Sequence, residues 1–483
     1  MNTLTPRRLA GAVLGTLLLS GCATGPDFVQ PDSGLGEAVL APRPGYAAGV
    51  PATDAAVPAQ WWVLFNDPVL TELQVRAQEG NLDLKMAIER IEQGRAQLGI
   101  ASAQLLPTVG AGAGVAREAL SEHGKFAALG APSSPSDFWQ VAFDAGWEID
   151  LWGRARRARE GAAAALEATV YEHEAARVAL AAEVGRTYLQ LRGAQAQLAI
   201  ARENLAVAER VLGLTESRRR NGVATEFEMA SARAQLAATR GIVPKLVERR
   251  NGLLNALALL LGDKPRALDS ALGEARSLPP LPAGVPLGLP SALARRRPDI
   301  LRAEAQLHAA TAAIGVAKAD FYPRLALKGR FGLEAFDSGD LASWDARFFS
   351  VGPTVYLPIF EGGRLTQRLA LSESGQKTAA LAYRKTVLQA WHEVDNALDA
   401  WAAGQEQHGA LAEADEQNRR ALHAAERGYR DGAVDYLAVL TAQRNVLASQ
   451  SALDDSTTGL TLALVNLYKS LGGGWDPQAG DAR

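Results

Sequence analysis

One side chain in this sequence is placed for covalent modification. Cys22, the single cysteine among 483 residues, closes the tetrapeptide Leu19-Ser20-Gly21-Cys22. That tetrapeptide resembles the bacterial lipobox, in which the thiol is acylated and the cysteine becomes the first residue of the mature chain. The segment before it suits export: Arg7 and Arg8 give a basic start, and residues 9–19 a short apolar stretch. Residues 1–21 therefore read as a lipoprotein signal peptide, whose removal with its two arginines takes the formal charge from −3 to −5. An ordinary secretory signal with a coincidental cysteine is the alternative. Ala23 is not the Asp that typically retains such lipoproteins in the inner membrane, so analogy with them favours the outer membrane.

Other reactive groups do not assemble into a site. A lone cysteine excludes an intrachain disulfide framework and any Cys₄ or Cys₂His₂ zinc centre. The six histidines (His123, His173, His308, His392, His408 and His423) lack metal-ligand spacing. Gly110, Gly112 and Gly114 mimic a phosphate loop, but no Lys-Ser/Thr follows and no helix opens there. No Ser-His-Asp or paired-carboxylate arrangement can be argued, so neither an enzyme nor a cofactor is expected. Near-neutral charge argues against nucleic acid. The run Arg295-Arg296-Arg297 reads as solvated, and Arg154, Arg156, Arg157 and Arg159 as placed to meet lipid phosphates or line a bore.

The elements that must carry any function are written twice. Residues 96–101 and Pro107 match residues 312–317 and Pro323 at an offset of 216; from Val141 onward the offset is 210. Trp152-Gly153-Arg154 then faces Gly362-Gly363-Arg364, Asn221-Gly222 faces Asp431-Gly432, and Leu261-Gly262 faces Leu471-Gly472. Constant register over so long a span implies duplication. The expected plan is an extended strap over 22–60, a first repeat over 61–262, a Pro-rich connector over 263–290, a second repeat over 291–475 and a tail over 476–483.

Each repeat reads as helix, two strands, long helix, shorter helix. Strands are expected over about 105–118 and 137–151, and again over about 322–334 and 347–360. The evidence is alternation. Trp139, Val141, Phe143, Ala145, Trp147, Ile149 and Leu151 are apolar, and Gln140, Asp144, Glu148 and Asp150 between them are polar. Strands of about ten residues with one apolar and one charged face suit a lipid-exposed barrel wall with a wet lumen. A half-buried strand of a soluble sandwich is the competing reading. Four strands cannot close a membrane barrel, and an open edge in lipid leaves backbone groups unpaired. Copies must therefore pool strands: two would give eight, and three would give twelve with room for a channel.

Long helices are expected over 154–219 and 364–430, each close to 100 Å at 1.5 Å per residue. Shorter ones follow over 226–261 and 436–470, and the first repeat opens with a helix over 70–103. Val184, Leu191, Leu198, Leu205 and Leu212 recur every seven residues against Thr187, Ala194, Ala201, Ala208 and Thr215. Large against small at this spacing predicts close knobs-into-holes packing. Asn221-Gly222 and Asp431-Gly432 stop the long helices, and Thr225 and Asp435 fit N-caps of the returning ones.

Several segments then carry a specific likeness. Leu289-Pro290-Ser291, Arg296-Arg297-Pro298-Asp299-Ile300, Ile314-Gly315-Val316-Ala317 and Tyr322-Pro323 resemble the hallmark segment of TolC-like outer-membrane factors, in the lipoprotein (NodT-type) branch. Asp435-Tyr436-Leu437-Ala438-Val439-Leu440 and the closing Gly472-Gly473-Gly474-Trp475 match too. The resemblance implies an α+β membrane protein: a trimeric outer-membrane β-barrel with four strands per chain, continued by a long α-helical periplasmic barrel. It implies a passive exit duct of a tripartite efflux system, docked to a periplasmic membrane-fusion adaptor and an inner-membrane transporter, usually of the resistance-nodulation-division class. Adaptor docking falls on the hairpin tips Gly222, Val223, Ala224, Gly432, Ala433 and Val434. Gate candidates are Arg430, Asp431 and Asp435, while Val434, Ala438 and Thr441 lack the acid that some relatives hold there. The alternative is a lipid-anchored periplasmic coiled-coil scaffold or adaptor without a pore.

Overall fold

A computed structural model of the chain describes residues 23–32, 52–53, 55, 57–126, 129–130, 133–282, 284–286 and 293–476. The signal segment with Cys22, most of the strap, Leu289-Pro290-Ser291 and residues 477–483 lie outside the described residues. The chain forms two compact units. One contains residues up to Pro31, Arg90–Thr169 and Ala303–Tyr383; the other contains Asp32–Glu89, Val170–Arg302 and Arg384–Arg483.

The elements run β1 (Ala52–Thr53), a 3₁₀ turn (Trp61–Phe65), α1 (Pro68–Gly80), α2 (Leu82–Ala103), β2 (Thr108–Glu118), β3 (Ser136–Ile149), α3 (Arg154–Arg220), α4 (Glu226–Leu260) and α5 (Asp269–Leu272). They continue as β4 (Val285–Pro286), α6 (Leu293–Arg296), α7 (Pro298–Ala319), β5 (Arg324–Ala335), β6 (Arg347–Tyr356), α8 (Arg364–Arg430) and α9 (Tyr436–Ser470).

The first unit holds a four-stranded antiparallel sheet in the order β2-β3-β5-β6. Strand β2 begins at Thr108 rather than near 105, because the amides of Gln104, Leu105 and Leu106 still bond back to Ala101, Ser102 and Ala103. Strands β3 and β6 also end earlier, at Ile149 and Tyr356. Against the foot of the sheet, Trp152 stacks on Tyr322 at 4.7 Å and donates to the Pro323 carbonyl at 2.8 Å. Buried Asp320 binds Arg324 at 2.7 Å and Arg368 at 3.2 Å, tying the end of α7 to β5 and α8.

The second unit packs around Trp61, which is fully buried with its ring 5.6 Å from that of Tyr468. The heptad seam of α3 lies in this core: Val184, Leu191 and Leu198 are buried, while Leu205 and Leu212 become half-buried toward the helix end. The helix expected over 70–103 is two helices. Asn81 takes extended backbone, ends α1, and caps α2 by accepting from the amides of Asp83 and Leu84 at 2.9 and 3.1 Å. Among the described residues, short pieces of the strap and connector hold partners. β1 pairs in parallel with β4, and Gln195 of α3 donates to the Leu272 carbonyl of the connector at 2.6 Å.

Candidate functional site: a two-faced sheet and two helix hairpins

Register assigns every side chain of the sheet to a face, since residues paired across strands share one side. One face carries Val109, Ala111, Ala113 and Val115 of β2, and Trp139, Val141, Phe143, Trp147 and Ile149 of β3. It continues through Leu325, Leu327, Phe331 and Leu333 of β5 to Phe349, Val351 and Val355 of β6. These apolar side chains are not core. Phe349 is 76% exposed, Val351 74% and Phe143 55%. A contiguous apolar surface of this size calls for a nonaqueous neighbour.

The other face is polar and internally paired. Arg330 meets Asp144 at 3.1 Å and donates to Gln140 at 2.9 Å, while Gln140 donates to Glu334 at 3.0 Å. Gly110, Gly112 and Gly114, which mimic a phosphate loop in sequence, lie along this face of strand β2. Among the described residues, β2 and β6 each pair on one side only, leaving two open edges of 11 and 10 residues. No described helix is long and apolar enough to cross a membrane.

The two hairpins of the second unit share one backbone design. At Gly222 φ is +76°, and the Val223 amide reaches back to the Arg218 carbonyl at 2.9 Å while the Gly222 amide bonds to Arg219. Gly432 repeats φ +76°, with Ala433 bonding to Gly428 at 2.7 Å and Gly432 to Tyr429. Both are Schellman closures, which need the left-handed conformation that glycine adopts freely. Thr225 and Glu228 then form a reciprocal capping box. In the second hairpin Asp435 alone caps, accepting from the Ala438 amide at 2.9 Å.

Packing between the hairpins adds residues that the sequence pattern missed. The Arg218 guanidinium lies 5.0 Å over the Tyr429 ring, and Tyr429 is 5.6 Å from the Tyr436 ring. Burial pushes the Tyr436 phenol up, with a nearby Thr215 pulling it back in part. Of the gate candidates, Asp431 is an exposed turn residue and Asp435 is engaged as a cap; Arg430 ends α8, and its side chain lies outside the described residues. Docking candidates Val223, Gly222, Gly432, Ala433 and Val434 are exposed, whereas Ala224 is buried. Phe227 and Leu437, exposed and 210 residues apart, follow each cap by two positions, which the repeat register alone could have flagged.

Two basic readings are corrected. Arg297 is buried, not solvated: it binds Asp299 at 2.7 Å, Glu393 at 2.7 Å and the Ser470 carbonyl at 3.0 Å. Arg296 donates to the Val57 carbonyl at 2.6 Å. The acid two residues after Arg297 was the available signal. In the second arginine cluster, Arg157 is buried between Asp27 at 2.5 Å and Glu160 at 2.8 Å and so is not free for lipid, while Arg154 and Arg156 hold Glu148 at 3.2 Å and Asp150 at 3.4 Å and Arg159 stays exposed. Two of the histidines hold partners distant along the chain: His308 meets Glu160 at 3.1 Å, and His408 meets Ser456 at 3.2 Å.

Comparison with known proteins gives a family. The model for the outer membrane efflux protein family matches residues 73–263 and 289–473. The chain is 35% identical over 441 residues to the pyoverdine export outer membrane protein OpmQ of Pseudomonas putida, covering 90% of this chain and 93% of that one. It is 33% identical over 469 residues to the outer membrane protein OprJ of Pseudomonas aeruginosa, covering 96% and 95%. The solved outer-membrane channel OprN superposes with a TM-score of 0.86 at 34% identity, over 94% of this chain and all of that one.

Proposed function

Because this chain belongs to the outer membrane efflux protein family, we propose that it forms the outer-membrane exit duct of a tripartite efflux system, passively releasing drugs or other small solutes. One observation carries the reading: a sheet with a bare apolar face, an ion-paired opposite face and two open edges. Such a sheet is stable in lipid only when its edges are paired. Three copies supply twelve strands, enough to enclose a water-filled bore. The apolar face then meets lipid, and the Arg330–Asp144–Gln140–Glu334 network lines water.

In this proposal the duct does no chemistry. A periplasmic membrane-fusion adaptor docks on the hairpin tips, and an inner-membrane transporter, of the resistance-nodulation-division class, supplies the energy. Held together, the hairpins narrow the bore; adaptor contact biases them apart by binding the open arrangement better. Acylation of Cys22 adds a membrane anchor, and the two family-model matches, whose starts are 216 residues apart and ends 210 apart, support descent of the two halves from one unit. Planar-bilayer conductance tests the reading. The purified protein is expected to show brief openings, lengthened by Tyr429→Ala, which removes the ring between Arg218 and Tyr436. A protein that never conducts, with or without that substitution, would leave the pore-free scaffold as the surviving account.

A further inference from the structure

The hallmark stretch Ile314-Gly315-Val316-Ala317 and the arginine run after β3 have no part in the duct proposed above, yet they converge on one object: the first described residues of the chain. Thr24 donates its amide to the Trp152 carbonyl at 3.0 Å, and its hydroxyl lies 3.1 Å from that same oxygen and 3.3 Å from the Gly315 carbonyl. Arg157 donates through Nε to the Thr24 carbonyl at 3.2 Å and through Nη2 to Asp27 at 2.5 Å. Its remaining partner is Glu160 at 2.8 Å. Four residues on, Phe28 stacks on the His308 ring at 4.4 Å with planes 15° apart. Gln30 reaches Glu304, whose carboxyl is raised by burial despite that contact.

The backbone is shaped for this approach. Gly25 has φ +95°, and a Cβ there would stand 2.5 Å from the Gly315 Cα. A Cβ on Gly315 would stand 2.7 Å from the Arg157 Cγ and 2.8 Å from the Thr24 oxygen. Gly153 likewise leaves room for Ala23. Arg157 is the electrostatic centre. Its side chain is 5% exposed, and although burial works against its charge, Asp27 and Glu160 outweigh that and raise its pKa. The segment itself covers the guanidinium: the Thr24 carbonyl takes Nε, and Asp27, itself exposed, adds a solvent-screened ion pair to the one with Glu160.

We propose that residues Ala23–Gln30 are a clasp seated in a cradle of Gly153, Arg157, Gly315 and His308, fastening α3 of the first repeat to α7 of the second. The clasp is held by protein contacts alone and does not depend on acylation. Composition marks the segment as a slack Pro/Gly tether; the cradle makes it a structural part of the sheet-bearing unit, with its amino end fixed beside the exit of β3.

Hydrogen exchange of the full-length purified protein, read by mass spectrometry on peptides covering Thr24, tests this. The Thr24 amide is expected to be protected, and to exchange about tenfold faster or more in Gly25→Val and in Arg157→Gln. Arg157→Lys, which keeps the charge and loses the fork, should fall between. Peptides covering Gly222 and Gly432 should not change. If Arg157→Gln fails to fold, Gly25→Val, which alters only the clasp, decides alone. Cys22→Ser should retain Thr24 protection; its loss there would show that the lipid, not the cradle, does the holding and would overturn the proposal. Free-chain exchange at Thr24 in the unaltered protein, or no response to Gly25→Val, would overturn it equally. None of these outcomes depends on conductance, so the clasp and the duct fail separately.

Discussion

At the scale of single residues, two carboxylates separate structural from functional charge. Asp435 closes the second hairpin by capping α9. Replacing it with Ala removes charge and cap together and should cost about 1 kcal/mol; Asn keeps the cap and loses only the charge. If Asp435 also holds the gate, Asp435→Asn and Asp435→Ala lengthen bilayer openings alike, whereas a cap role alone predicts an effect of Ala and none of Asn. Asp454 on α9 is the second case. Burial first, then repulsion from Asp455, pushes its carboxyl up to about 6 against the pull of Arg249, and its Oδ2 is buried without a hydrogen-bond partner. A carboxyl raised in the folded state contributes stability that is present below its unfolded value and lost as pH rises through 6. Asp454→Asn should therefore stabilise the protein at pH 7.5, by about 1–2 kcal/mol, and make little difference at pH 4. Thermal melts at both pH values check this, and an equal shift at the two would refute it.

At the scale of elements, the sheet makes two positions three residues apart on β6 respond oppositely to one substitution. Val351 lies on the apolar face, and Thr354 on the face that carries Arg330 and Glu334. If the apolar face meets lipid, Val351→Arg should cost about 2–4 kcal/mol in membrane assembly, while Thr354→Arg is accommodated in water and changes ion selectivity instead. Yield of heat-modifiable oligomer in cold detergent gels, followed by reversal potentials in a salt gradient, reads both arms. Equal loss of oligomer from both would mean that neither face is lipid-exposed. The helices follow a different logic, since the seam of α3 is buried at Val184, Leu191 and Leu198 and loosens beyond them. That gradient leaves the hairpin ends with less apolar packing to hold them, which suits elements expected to move.

At the scale of the whole molecule, the unpaired edges of β2 and β6 are the deciding feature. Among the described residues a single chain leaves both open, and an open edge is not tolerated in lipid. If three copies pool their strands as proposed, mass measurement in mild detergent gives three copies per particle, resistant to SDS until heated; two copies would close the edges but leave no bore. A monodisperse monomer with Trp147 shielded from quenchers would remove the basis for the duct.

Much of this molecule was legible in the sequence because its signals are periodic. Alternation located the strands, the heptad located the seam, and Asn-Gly and Asp-Gly located the turns, since each reflects backbone geometry acting over a few neighbouring residues. What lay beyond reach joins residues distant along the chain. Arg297 pairs with Glu393, 96 residues away, and Thr24 is seated against Gly315, 291 residues away. The break at Asn81 depends on a cap whose amide also serves the Leu260 carbonyl. Local propensity decides what each segment forms, and only the folded chain decides which charges find partners and which slack segment is gripped, because those outcomes belong to pairs that no window of sequence contains.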